Sequence, residues 1–137
     1  MKKAIIIYHS KTGITKKFGE EISGFLKENS IQPEIFSINE FKNEKLNNAE
    51  YVFIGCWTSG LMLFLQHPEK VWVKFAQQLP DLTGKKTGLF TTYKLATGSV
   101  FDKMKKQVKG EILIELKSRN GLLSGANKIL LSEFIQG

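Results

Sequence analysis

Apolar positions along the chain fall into two alternating patterns. Ala4-Ile5-Ile6-Ile7-Tyr8 is a short continuous run rich in isoleucine, the pattern of a strand covered on both faces, as at the centre of a parallel sheet. It stops abruptly at His9-Ser10-Lys11-Thr12-Gly13. Beyond that, Ile14, Phe18, Ile22, Phe25 and Leu26 recur at intervals of three and four, the period of a helix that lays one stripe on a core. The alternation repeats. Residues 34–38 read as a second strand and 51–56 as a well-buried third. Pro68, in the first turn, opens a helix carrying Val71, Trp72, Phe75 and Leu79, since proline there gives up only an amide that would be unpaired anyway. Residues 87–92 form a fourth strand, and a helix from about Ser99 turns Phe101, Met104 and Val108 inward. Residues 112–116 form the fifth strand, and Ile129, Leu130 and Phe134 mark a closing helix.

Strands alternating with helices argue for βαβ units. The expected architecture is α/β: a three-layer αβα sandwich around a five-stranded parallel sheet. Right-handed crossovers leave few topologies, and of the doubly wound orders among them 2-1-3-4-5 is the one chosen. A chain of 137 residues suffices for one core and not two, so residues 1–137 are read as a single domain. Ligands of such sheets bind beyond the carboxyl ends of the strands where the winding reverses. Here that means the loops after strands one, three and four.

Charged residues make up 24% of the chain and hydrophobic ones 42%, close enough to the globular average to set aside disordered and fibrous classes. No apolar run approaches the length of a membrane span, and residues 4–8 after Lys2-Lys3 are too few for a secretory signal; a cytoplasmic location is expected. Cys56 is the only cysteine. With His9 and His67 alone beside it, no internal disulfide and no zinc site of usual spacing is expected. The formal net charge is +7, and residues 85–109 carry seven lysines against Asp102. That segment reads either as a solvated helix face or as a docking face for an acidic partner. Nucleic-acid binding would rest on charge alone, with no recognisable module, and is not expected.

Ser10-Lys11-Thr12-Gly13-Ile14-Thr15 lies between a buried strand and a helix start. Unpaired amides and the positive end of the helix dipole face one small volume there, suited to a phosphate. Ser10, Thr12 and Thr15 add hydroxyls, and Gly13 allows a tight turn and close approach of the backbone. The plainer alternative is that Ser10 or Thr12 merely caps the helix. The loop is not a Walker loop; the nearest candidate, Gly84-Lys85-Lys86-Thr87, has Leu79 where the earlier glycine belongs. The segment instead resembles the phosphate loop of flavodoxins, Ser/Thr-x-Thr-Gly-x-Thr, in which the 5′-phosphate of FMN lies on the helix N-terminus. Ile14 departs from the asparagine usual there and loses one polar side chain while keeping the backbone cradle.

Strand three runs into Gly55-Cys56-Trp57-Thr58-Ser59-Gly60 and strand four into Thr91-Thr92-Tyr93-Lys94-Leu95-Ala96-Thr97-Gly98. A planar isoalloxazine needs faces to lie against and backbone groups at its polar rim; Trp57 and Tyr93 with the glycine-containing loops offer both. The second loop of flavodoxins typically reads Gly-x-Pro-Thr-Trp/Tyr-Gly. Aligned on Gly55, Thr58 and Gly60, this chain has Trp57 at the proline and Ser59 at the aromatic, displacing the stacking partner by two positions. By resemblance, Gly60 matches the glycine whose peptide turns to meet flavin N5. Leu61-Met62-Leu63-Phe64-Leu65 is too apolar for an ordinary loop and reads as a lid, an oligomer contact, a docking patch or a buried helical extension. Cys56 reads as a small buried residue and His9 as a rim residue, with no paired carboxylate near it in sequence.

The resemblance implies a short-chain flavodoxin-type electron carrier that binds FMN through Ser10, Lys11, Thr12, Gly13, Ile14 and Thr15, then Trp57, Thr58, Ser59 and Gly60, and finally Thr92, Tyr93, Lys94, Thr97 and Gly98, with no catalytic residue. The alternative is an FMN-dependent oxidoreductase of the same fold, of quinone reductase or protoporphyrinogen oxidase type. A response regulator would need carboxylates where Tyr8-His9-Ser10 stand, and a small tyrosine phosphatase an arginine where Met62 stands; neither fits. Typical flavodoxins are acidic, whereas this chain is basic and sets Lys11 and Lys94 in two ligand loops. The redox partner is therefore expected to present acidic surface, and the chain to be a monomer or weak homodimer.

Overall fold

A computed structural model describes residues 1–61 and 64–137. The elements run β1 (Lys3–His9), α1 (Ile14–Glu28), β2 (Gln32–Ser37), β3 (Tyr51–Trp57), β4 (Ser59–Leu61), β5 (Phe64–His67), α2 (Lys70–Gln77), β6 (Lys86–Thr92), α3 (Val100–Lys105), β7 (Ile112–Ser118) and α4 (Gly125–Gln136). Five strands form one sheet in the order β2-β1-β3-β6-β7, every neighbour parallel. With the β4–β5 hairpin set aside, this is the expected 2-1-3-4-5 order.

The central strands are apolar at successive positions because both of their faces are covered. Ile5, Ile7, Val52, Ile54 and Leu89 pack with Trp72 and Ala76 of α2 and Val100 and Met104 of α3. Their neighbours Ala4, Ile6, Phe53 and Phe90 pack on the other side with Phe18, Ile22 and Leu26 of α1 and Leu131 and Phe134 of α4. Gly55 is the one break in the apolar content of β3. A Cβ there would stand 2.3 Å from the Phe90 ring, so the missing side chain is what lets that ring cross the sheet and meet Phe18 edge-on at 5.9 Å.

Several expected inward positions are corrected. Val71 is half exposed and Ile129 more so at 62%, with Leu130 also on the surface. In α4 the inward stripe is Asn127, Leu131 and Phe134; Ile129 lies two residues from Leu131, about 200° round the helix, and so points away from the core. Ile14 is exposed because the stripe of α1 begins at Thr15. Pro68 stands before Glu69, the N-cap of α2, and not inside its first turn. The third long helix is shorter than expected: α3 ends at Lys105, and Val108 is buried in the turns that follow.

The β4–β5 hairpin was not foreseen. It forms a separate two-stranded sheet, antiparallel, with Ser59 opposite His67. Of the apolar stretch read as a lid, an oligomer contact, a docking patch or a buried helical extension, Met62 and Leu63 lie outside the described residues, and the helical reading is corrected for the rest: Leu61 ends β4, and Phe64 and Leu65 begin β5.

Candidate functional site

β1, β3 and β6 are neighbours in the sheet, so the loops that leave their carboxyl ends converge. In the first loop Gly13 has φ +94, and open space surrounds its Cβ position. It is the N-cap of α1. No side chain caps this helix, and its first turn holds no acidic residue. The cap-only reading of the serine and threonines is therefore corrected: Ser10 Oγ accepts the amide of Gly13 at 2.9 Å within the loop, and Thr12 is exposed. The first-turn amides keep their donor capacity, and nothing negative competes for them. Those features fit a phosphate group.

Thr15 behaves differently from the other hydroxyls. It is buried, and its Oγ1 lies 2.6 Å from Oγ1 of Thr92, which ties the start of α1 to the end of β6. A second set of threonine contacts joins β6 to the loop after β3. Thr91 Oγ1 donates to the carbonyl of Cys56 at 2.7 Å. Since a hydroxyl has one proton, Thr58 Oγ1, 2.9 Å from Thr91 Oγ1, must be the donor of that pair. The Thr58 amide also donates to the Thr92 carbonyl at 2.7 Å. These contacts hold Trp57 and Thr58 at a fixed height above the sheet.

Trp57 is half-buried, and Lys11 Nζ stands over its ring, 4.8 Å from the centroid. The basic and the aromatic residue singled out in two different loops thus meet. The Trp57 indole N–H is buried without a partner, but Trp72 in the core shares that property, so the indole alone marks nothing. Tyr93 does not join this pair. It lines a cavity of about 870 Å³ toward β7 and α4, with the Arg119 guanidinium 5.4 Å and Lys117 Nζ 6.0 Å from its ring centroid. Gly98, at φ +52, closes on the hairpin: a Cβ there would sit 2.7 Å from Gln66 Oε1. Lys103 Nζ donates to the Gln66 carbonyl at 2.8 Å. Lys94 is exposed, Thr97 and Ser59 are half-buried, and Gly60 lies in β4.

The lysine-rich segment does not form one face. Lys85 donates to the carbonyls of Leu46 and Ala49 at 2.8 Å, and Lys86 binds the carbonyl of Gly137; both sit at the amino end of the strands. Lys105 pairs with Glu115. Lys94 follows the carboxyl end of β6 and Lys103 reaches the Gln66 carbonyl, so of the two readings of residues 85–109 neither one helix face nor one docking face holds all the charges, which are spread over both ends of the sheet.

Two features escaped the sequence. His9 Nε2 lies 2.5 Å from Glu69 Oε1, the imidazole donating to a carboxylate 60 residues away; the chain order carries no sign of it. Lys117 stands near the end of β7 and Arg119 directly after it, a strand whose carboxyl end was not counted with the loops after strands one, three and four. Cys56 is fully buried, its Sγ 3.9 Å from Met104 Sδ, and burial pushes its thiol well above the ordinary range. Among the described residues, no group of His, Cys, Asp and Glu is placed to hold a metal ion, and no helix is long and apolar enough to cross a membrane.

No curated protein matches the sequence. Among solved structures, two-electron reduced Megasphaera elsdenii flavodoxin superposes with a TM-score of 0.78 at 22% identity, covering 98% of this chain and 99% of that one. Oxidised flavodoxin 1 from Bacillus cereus gives 0.70 at 20%, covering 98% and 97%. A mutant Fusobacterium nucleatum flavodoxin bound to flavin mononucleotide gives 0.63 at 19%, covering 99% and 94%. The model of the flavodoxin domain family matches residues 5–123. That match runs from β1 through the loop after β7 and takes in the loops after β1, β3 and β6, and on it the chain belongs to the flavodoxin domain family.

Proposed function

We propose that the protein is an electron carrier that binds FMN at the carboxyl ends of β1, β3 and β6. The observation that carries this reading is the start of α1: an uncapped helix of 15 residues, entered through Ser10-Lys11-Thr12-Gly13 with no acidic group in its first turn. The amides of Gly13 to Thr15 and the hydroxyls of Ser10 and Thr12 would hold the phosphate, with Lys11 adding a positive charge. Trp57 and Tyr93 would border the ring system. The backbone of Thr58, Ser59, Gly60, Thr97 and Gly98 would meet its polar edge, while Thr92 holds Thr15 in place. When bound, the flavin supplies the redox chemistry; the chain supplies position, exclusion of water and electrostatics.

The partner is a redox protein with an acidic surface, the location cytoplasmic, and the working unit a monomer or weak homodimer. Absorbance of the freshly purified protein tests the cofactor. A yellow protein that releases its flavin on heating and prefers FMN to riboflavin supports the phosphate site, and Thr12→Glu should abolish uptake by placing a carboxylate where the phosphate belongs. Undiminished uptake by that variant would overturn the reading. Steady-state turnover of NAD(P)H or a quinone would instead favour the oxidoreductase alternative.

A further inference from the structure

We propose that the cavity beside Tyr93 is the seat of the acidic redox partner, whose carboxylates engage Lys94, Lys117 and Arg119. The inference rests on the electron-carrier reading for the partner's role, and on charge and shape for the seat. Residues 10–13, 93–99 and 117–124 contain four cations and no aspartate or glutamate. Two of those cations, Lys117 and Arg119, line the cavity on its β7 side, and Lys94 is exposed next to Tyr93 in the chain. The Arg119 guanidinium lies beside the ring of Tyr93, 5.4 Å from its centroid, and its Nη2 reaches the carbonyl of Leu95 at 3.4 Å, which sets it at the cavity mouth in an exposed position. Two carboxylates also line the cavity. Glu115 is paired with Lys105, which leaves Asp102 as the unpaired carboxylate of the lining, and at its edge Glu21 Oε1 accepts the Leu123 amide at 3.2 Å.

Shape agrees with charge. Leu122, which lines the cavity, is 45% exposed, and Leu95, joined to Arg119, is 53% exposed. Two exposed leucines beside a cationic margin reproduce the anatomy of a protein interface, apolar at the centre and polar at the rim. The seat is also distinct from the lysine pair at the amino end of β6, which is occupied by backbone carbonyls.

The test uses two probes with one fold and opposite surfaces: a basic cytochrome c, and the same protein with its lysines succinylated. Binding to the FMN-loaded, nitrogen-15 labelled protein is followed by amide shifts and calorimetry. The succinylated form should bind, weakening by roughly tenfold or more between about 20 and 200 mM salt, and its shifts should cluster on residues 93–99 and 117–124. Lys94→Glu with Lys117→Glu should weaken it about tenfold, and Lys94→Glu alone, at an exposed position, should weaken it in the same direction. Lys106→Glu with Lys109→Glu makes the same change in net charge at the other end of the sheet and should leave it within about twofold. Equal loss in the two double variants, shifts centred elsewhere, or equally tight binding of the basic form would overturn the proposal. A chain that refuses FMN yet shows this pattern keeps the seat and loses the flavin; one that takes FMN and shows none of it loses the seat alone.

Discussion

Replacing Thr15 by valine removes one half of a buried hydroxyl pair and leaves the other half stranded. Both residues are inaccessible, Thr15 at 1% and Thr92 at 5%, and their oxygens are 2.6 Å apart, so water has little room to replace the lost partner. A made hydrogen bond is worth about 1 kcal/mol net, while an abandoned buried hydroxyl costs about 1–3 kcal/mol. Thr15→Val alone should therefore destabilise by about 2 kcal/mol, and Thr92→Val by a similar amount. The double variant removes both groups and should cost only about 1 kcal/mol, leaving a coupling of about 2–3 kcal/mol. In urea, at an m-value of about 2 kcal/mol/M, each single variant should lower the midpoint by about 1 M, and the double by about half that. Unfolding curves on the four proteins without added flavin would decide it. Additive losses, or single variants within about 0.3 kcal/mol of the parent, would refute the claim that this pair ties α1 to β6.

Gly55→Ala should be among the most damaging conservative changes in the sheet. Its Cβ would stand 2.3 Å from the fully buried Phe90 ring, and overpacking of this kind costs about 1–3 kcal/mol, readable as a drop of several degrees in Tm. Cys56 should ignore Ellman's reagent in the native protein at pH 8 and react fully in denaturant, because burial both hides the thiol and suppresses its thiolate; rapid native labelling would contradict the buried position. Lys11→Met should make the second flavin reduction potential more negative, by on the order of tens of millivolts, since a cation beside Trp57 favours the anionic reduced form. Potentiometric titration reading an equal or higher value would count against that role.

Most of the architecture was legible because both cores depend on local patterns. Continuous apolar runs located β1 and β3, and the loop Ser10-x-Thr12-Gly13-x-Thr15 sits where the strand order reverses, so its chemistry could be read from six consecutive residues. What the chain order hid is long-range. The His9–Glu69 contact and the Thr15–Thr92 pair join residues 60 and 77 positions apart, and nothing local distinguishes a threonine that faces a ligand from one that faces another threonine. Thr15 was expected to offer its hydroxyl to a phosphate and is found already engaged. Apolar content misled in α4, where three large residues in a row, Ile129, Leu130 and Leu131, cannot all share one face of a helix and only the third is buried. The lysine cluster misled for a related reason: closeness in sequence spans a strand and a helix that run in opposite directions, so its members end up on opposite poles of the sheet.

The hairpin between β3 and α2 has a consequence for how this architecture tolerates change. Among the described residues, β4 and β5 pair with each other and with no strand of the main sheet. Yet the stretch is fastened where it rejoins the body, by Glu69 to His9 and by Gln66 to Lys103. Changes within the β4–β5 pair can therefore accumulate without disturbing the register of the main sheet, while substitutions at those two anchor points alter how the pair sits against the body. Diversity among related chains is accordingly expected to concentrate in the outer span, and the fastenings to vary in step with the residues they hold.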